Sequence, residues 1–203
     1  SKWVTGESAR MHVHDVRHAV DAIMVGIGTV KQDDPSLTTR LENRRGRDPK
    51  RIILDTRLSI SPDARLFHQS SDAATIIVTG DIPEGAGHKK RRAAVEKTGA
   101  SVVPVPLKNK KIDLTALMVK LGGMGITSLL IEGGAQVIAS SFAAGIVNKS
   151  MFFYAPKLLG GSDGVPICSG KGAGLMKDCI MLQGVRMERF GEDFLIEGYV
   201  KRD

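Results

Sequence analysis

Leu130-Ile131-Glu132-Gly133-Gly134-Ala135-Gln136-Val137, running on into Ile138-Ala139-Ser140-Ser141-Phe142, joins a short apolar segment to a helix-like one through a carboxylate and two glycines. A buried strand that turns directly into a helix is the repeating unit of an α/β fold, so this stretch predicts the architecture. Bare amides at the helix start, together with the helix dipole, make an anion seat suited to a pyrophosphate. Glu132 at the lip of such a seat can hydrogen-bond a hydroxyl or hold a proton for transfer. The same residues also read as a tight turn in which Glu132 merely caps amides. Taken alone, the stretch leaves both readings open.

Outward from it, Ala22–Val25, Arg51–Leu54, Thr75–Val78, Ser101–Val105, Ser128–Ile131 and Met151–Tyr154 are short, apolar and partly β-branched. They predict strands buried on both faces. Glu7–Val20, Gly85–Thr98, Asp113–Leu121 and Ala135–Ala144 read as helices between them. Cys179–Arg189 and Phe194–Val200, joined at Phe190-Gly191-Glu192-Asp193, predict an antiparallel hairpin. A single domain with one mixed sheet fits this order.

A second glycine junction, Val25-Gly26-Ile27-Gly28-Thr29-Val30-Lys31, follows the first strand. It starts like the G-x-G-x-x-G dinucleotide fingerprint but ends in Lys31. Asp55, the nearest acid closing a second strand, lies 27 residues after Gly28 rather than about 20, so the usual Rossmann site is disfavoured. Asp33-Asp34-Pro35 ends a helix and begins an extended stretch, and the two acids cannot share one pocket. One functional acid and one cap are expected. Arg17 and Arg40 are candidate phosphate forks, set against their reading as surface residues. His14 and His18 lie four apart, but Asp15 stands where a zinc-protease helix needs Glu, and no third ligand is in view. No G-x-S-x-G elbow or Walker lysine occurs, and metal-free chemistry is expected.

Composition narrows the classes further. The chain has 203 residues, 42% of them apolar and 25% charged, which is ordinary for a globular domain. Aromatics reach only 4%, leaving little for base-stacking platforms. No apolar run approaches the ~20 residues that span a bilayer, and SKWVTGESAR is no signal peptide, so a soluble, cytoplasmic protein without a membrane partner is expected. Cys168 and Cys179 form no disulfide framework or zinc pattern. A net charge of +7 favours anionic partners: nucleic acid, or ligands carrying several phosphates. Its densest clusters are Arg44-Arg45-Gly46-Arg47, Lys89-Lys90-Arg91-Arg92 and Lys108-Asn109-Lys110-Lys111, each read as a solvated surface in a loop or at a helix start.

Ser1-Lys2-Trp3-Val4-Thr5, Arg17, Val25–Val30, Asp33-Asp34-Pro35-x-Leu37-Thr38-x-Arg40, Ile53-Leu54-Asp55-Thr56, Ile131-Glu132-Gly133-Gly134 and Ala155-Pro156-Lys157-Leu158-Leu159-Gly160-Gly161 occur in that order. Together they resemble the reductase domain of the bifunctional riboflavin-biosynthesis deaminase/reductase, over essentially the whole chain. The resemblance implies a dihydrofolate-reductase-like fold, a twisted mixed sheet with flanking helices and a C-terminal antiparallel hairpin. It implies NADPH-dependent reduction of the ribose of 5-amino-6-(5-phosphoribosylamino)uracil, and two polyanionic ligands account for a basic protein without nucleic acid. By matching motifs, Ser1, Arg17, Leu37, Arg40 and Glu132 are implied substrate contacts, with the arginines gripping the ribose phosphate. Trp3, Thr29, Asp33 and Thr56 are implied cofactor contacts, with Gly134, Ala135, Gln136, Val137, Ile138, Ala139 and Ser140 holding the pyrophosphate. Asp33 and Glu132 are the candidate catalytic residues, Asp33 first for proton handling.

The resemblance also implies a homodimer, and a strand and loop ahead of the S-x-W-x-T segment that contribute to the pocket. The family's zinc deaminase signature, H-x-E with P-C-x-x-C, has no counterpart here, so deaminase activity is not expected of this chain. Two other readings stand beside it: a related reductase acting on another pteridine or pyrimidine, and a basic nucleic-acid-binding module. The latter would leave the glycine junctions without purpose.

Overall fold

The fold was obtained as a computed structural model, which describes residues 3–42, 45–81, 85–161, 163–170 and 172–202. Helix α1 (Glu7–Ala19) leads into strand β1 (Ala22–Gly26), the short helix α2 (Ile27–Asp33) and β2 (Lys50–Leu54). Then follow β3 (Thr75–Gly80), α3 (Ala86–Glu96), β4 (Ser101–Val105) and a small hairpin, β5 (Leu107–Lys108) with β6 (Lys111–Ile112). The chain ends with α4 (Leu114–Gly123), β7 (Leu129–Ile131), α5 (Ala135–Ala143), β8 (Lys149–Tyr154), β9 (Leu182–Phe190) and β10 (Asp193–Val200).

The first sheet is all parallel, in the order β4-β3-β2-β1-β7. Because successive side chains point to opposite faces of a strand, β1 to β3 divide their residues between two cores. Ile23, Val25, Ile53 and Ile77 join Val30 of α2 and Val95 of α3 on one face. Ala22, Met24, Ile52, Ile76 and Val78 join Leu114, Leu117 and Leu121 of α4 on the other. Each fully buried Ile, Leu or Val contributes roughly 1.5–3 kcal/mol against conformational entropy. Helix coverage of both faces explains the continuous apolar runs of β1 and β3, which are buried along their whole length. β4 is not: its Ser101 and Pro104 are exposed at the sheet edge.

The expected hairpin forms, but it does not extend the parallel sheet into one continuous mixed sheet. β8, β10 and β9 make a separate antiparallel sheet in which β8 and β9 are terminal. β7 and β8 end their respective sheets and jointly line a cleft of about 610 Å³, whose walls include Leu129, Ile131, Met151 and Phe153. Helix α1 bridges toward this second sheet. His12 sits on α1 with its ring 4.7 Å from Phe190 and 6.1 Å from Phe153. The Gly6 N–H donates to Asp193 Oδ2 at 2.6 Å, tying the start of α1 to the hairpin turn.

Candidate functional site

The two glycine junctions meet. The carboxyl end of β1 turns into α2 at Gly26, and that of β7 into α5 through Gly133 and Gly134, whose φ values of +89° and +81° suit glycine. Since β1 and β7 are neighbours, the Glu132 N–H donates to Met24 O at 3.0 Å. A Cβ on Gly134 would lie 3.4 Å from Thr29 Oγ1 and 3.7 Å from the Gly26 nitrogen. One cleft of about 1190 Å³ opens over both bends. An open α/β sheet binds ligands at this place, beyond the carboxyl ends of its strands.

Of the residues expected to hold a cofactor, Thr29, Asp33, Thr56, Gly134, Ala135, Gln136, Val137 and Ser140 line this cleft. Ile138 faces the other way, into the cleft between β7 and β8, because a helix turns every 3.6 residues. Ala139 lines neither cleft. Trp3 is half exposed beneath the Arg10 guanidinium, 5.0 Å from its ring centroid, and does not line the cleft. Ser1 lies outside the described residues, as do Lys2 and Arg44. The first hydrogen bond within α5 comes from the Val137 N–H to Gly134 O at 2.8 Å, so the amides of Ala135 and Gln136 precede the intrahelical ladder and suit a pyrophosphate.

The paired acids point to different surroundings. Asp33, exposed, lines the cleft, whereas Asp34 adopts a left-handed conformation at the end of α2 and accepts the Arg65 N–H at 2.9 Å. Asp55 is buried and accepts the amides of Ser59 and Ile60 at 2.5 and 2.8 Å, which orders the turn after β2.

Beside the cleft, Arg17 of α1 grips Glu132 in a two-pronged fork, Nε to Oε2 at 2.9 Å and Nη2 to Oε1 at 2.5 Å. Its remaining terminal nitrogen, Nη1, donates to Thr38 O at 2.9 Å. All three nitrogens of the guanidinium are thereby engaged. In this structure Arg17 orients the Glu132 carboxylate rather than offering itself to a phosphate, while Arg40 remains exposed. Leu37 is buried at a left-handed φ of +53°, a conformation that bulky residues adopt only when their surroundings impose it. The Arg17 bond to Thr38 O, the Gln69 bond to Ser36 O at 2.6 Å and the Thr39 N–H bond to Asp48 Oδ1 at 2.7 Å hold that loop.

Sequence reasoning weighed His14 only as half of a zinc pair with His18, yet it lies one helical turn before Arg17, and i and i+3 share a helix face. Its Nδ1 accepts the Arg40 N–H at 3.2 Å. Burial, reinforced by the Arg17 and Arg40 guanidinium groups, holds its pKa below the ordinary histidine value; Glu132 and the Thr38 backbone oppose this less strongly. A neutral imidazole suits an accepting Nδ1. The loop after β8 was also assigned no role, yet it brings Val165 and Ser169 to the cleft, with the Ser169 N–H donating to Ala135 O at 3.2 Å.

The remaining basic clusters separate. Lys89–Arg92 lie on α3, where Arg92 pairs with Glu96 at 2.9 Å. Arg47 donates to Val20 O and stands 3.8 Å from Asp21. Lys108–Lys111 form no plain loop: they belong to the β5–β6 hairpin and line the cleft. No helix among the described residues is long and apolar enough to cross a membrane.

The chain is similar to several known proteins. The riboflavin biosynthesis protein RibD of Actinobacillus pleuropneumoniae is 36% identical over 97% of the chain, which spans about half (50%) of that protein's length. The 2,5-diamino-6-ribosylamino-4(3H)-pyrimidinone 5′-phosphate reductase of Methanothermobacter thermautotrophicus is 33% identical over 99% of the chain and is 89% covered by it. Among solved structures, Acinetobacter baumannii RibD superposes with a TM-score of 0.81 over the whole chain and 52% of its own, at 23% identity, which speaks for the fold alone. The family model described as the RibD C-terminal domain matches residues 1–196. The chain therefore belongs to the RibD C-terminal domain family.

Proposed function

We propose that this chain is the NADPH-dependent reductase of riboflavin biosynthesis that converts the ribose of 5-amino-6-(5-phosphoribosylamino)uracil to a ribityl chain. The observation that carries this reading is the convergence of the β1–α2 and β7–α5 bends on one cleft, next to a carboxylate held by Arg17. The cleft fits a dinucleotide: left-handed glycines leave the backbone bare, and Ala135 and Gln136 present amides ahead of the α5 ladder.

Bound there, the reduced nicotinamide supplies a hydride to C1′ of the opened ribose. The residues supply the rest. The amides at the start of α5 hold the pyrophosphate, and Thr29 and Thr56 line its flanks. Glu132, fixed by Arg17, accepts a hydrogen bond from the substrate, and the exposed guanidinium of Arg40 meets the ribose phosphate. Leu37, buried in the core beneath the loop that His14 and Arg17 hold, fixes the backbone that carries Thr38 and Arg40. Asp33 carries the proton that completes the reduction. Asp33→Asn is expected to lower turnover at least tenfold while nucleotide binding persists; near-normal turnover would remove Asp33 from this role.

The exposed Val185, Met187 and Tyr199 of the outer sheet supply an apolar face for a homodimer, which light scattering reads directly. A cytoplasmic location accords with this chemistry.

A second reading is favoured by the Methanothermobacter relative, whose name specifies a 2,5-diamino pyrimidinone phosphate rather than the deaminated uracil. Following NADPH oxidation with each substrate decides between them. Oxidation with neither, by a chain that binds the nucleotide, would refute the reductase reading for both.

A further inference from the structure

Resting on the reading of the cleft as a nicotinamide-nucleotide site, we infer that the β5–β6 hairpin is its specificity element: Lys108, Lys110 and Lys111 receive the 2′-phosphate that separates NADPH from NADH. The hairpin lines the same cleft as Thr56, Arg57 and the Gly134–Ser140 side of α5. It therefore puts three lysines around the space that a dinucleotide seated on α5 would fill, with Arg57 as a fourth cation on the same cleft.

The hairpin is held in place. Asn109 and Lys110 have φ values of +52° and +63°, the two-residue left-handed turn that matches strand twist. Leu107 lies so close to β3 that a Cβ on Gly80 would come within 2.9 Å of its Cδ2. Ile112 is buried, and the Asp113 N–H donates to Pro106 O at 2.9 Å. A charged tip on a short, anchored ribbon loses little freedom when it meets a ligand.

Of the three carboxylates that line the cleft, Asp33, Asp55 and Asp113, the last two are spent on backbone amides. Asp113 accepts the amides of Thr115 and Ala116 at 2.9 and 3.2 Å as the cap of α4, and Asp55 is buried on Ser59 and Ile60. The four cations stay exposed, unlike Arg92 of α3, which is paired with Glu96. A phosphomonoester carries about −1.5 to −2 charges near neutral pH and takes lysines as point-charge partners, whereas NADH offers only a neutral hydroxyl at that position.

The test uses the full chain with Lys108→Gln, Lys110→Asn and Lys111→Gln together, Asn being at ease in the left-handed turn. Fluorescence titration with NADPH and NADH, and competition by adenosine 2′,5′-bisphosphate and adenosine 5′-phosphate, give the affinities. The wild type is expected to prefer NADPH. The triple variant should lose roughly ten- to thirtyfold in NADPH affinity, as expected for several exposed ion pairs acting together, with NADH altered less than about twofold. The bisphosphate should follow NADPH. Lys89→Gln with Lys90→Gln on α3 should change neither nucleotide. Equal losses for both nucleotides, or a surviving NADPH preference, would overturn the hairpin assignment while leaving the reductase reading intact. Failure of the wild type to bind either nucleotide overturns both.

Discussion

Replacing Gly26 by alanine puts a methyl group 2.9 Å from Val137 Cγ2, between the end of β1 and the first turns of α5. Carbon atoms sit comfortably at about 3.5–4.0 Å, so β1 and α5 must part by roughly 0.6–1 Å, or Val137 must leave its rotamer. Overpacking of this kind costs about 1–3 kcal/mol. At φ −82° and ψ 155° Gly26 already has a conformation that alanine adopts, and the lower unfolded-state entropy returns about 0.4–1 kcal/mol. The expected net loss is about 1–2 kcal/mol, a fall in Tm of about 2–8 °C for a chain of 203 residues. Val137→Ala alone should cost about 1 kcal/mol for its lost methyl groups. In the double variant the new methyl occupies the vacated space, so urea unfolding of the four proteins should reveal a favourable coupling of about 1 kcal/mol. Nucleotide affinity should fall in Gly26→Ala and recover in part in the double variant. Strictly additive losses, or an unperturbed Gly26→Ala, would mean that the two bends do not touch as described.

Three further expectations use the same geometry. Gly134→Ala and Gly99→Ala both force alanine to a φ above +80° and should each cost about 1–2 kcal/mol, but only Gly134→Ala should impair nucleotide binding, because Gly99 faces open space; equal effects on binding would discount the bare-backbone seat. Asp21 is held well below the usual carboxylate range by hydrogen bonds from the amide and hydroxyl of Thr127 and from Ser128. Its stabilising effect is therefore complete above about pH 4 and is lost as pH falls below that, so Asp21→Asn should be less stable at pH 7 and lose less between pH 5 and pH 2.5 in denaturant titrations. His14, flanked by Arg17, Arg40 and Glu132, has a lowered pKa, so the unfolded chain takes up its proton first and stability should decline as pH drops below about 6.5; imidazole nitrogen shifts showing a protonated His14 at pH 6.5 would contradict this.

The local elements were legible because their signals are local. Apolar β-branched runs located six of the strands, and Ser101–Val105 matches to the residue. The helix over Glu7–Ala19 falls one residue short of the predicted end. The β5–β6 hairpin escaped because four polar residues, Lys108-Asn109-Lys110-Lys111, carry no apolar alternation and lack the glycine that usually marks such turns. The division of the sheet between β7 and β8 escaped because strand composition does not say which neighbour a strand pairs with.

The same divide runs through the site. Glycines at 26, 133 and 134, the acid at the end of β7 and the basic surplus are written in the residues, because a bare backbone turn and a positive charge need particular side chains wherever they fall. That Arg17 spends its guanidinium on Glu132, 115 residues away, and that Ile138 turns from the cleft while Ser140 faces it, were decided by the tertiary structure. Such contacts depend on strand order and helix rotation, which arise when distant segments bury their apolar faces together, and local periodicity carries no record of them.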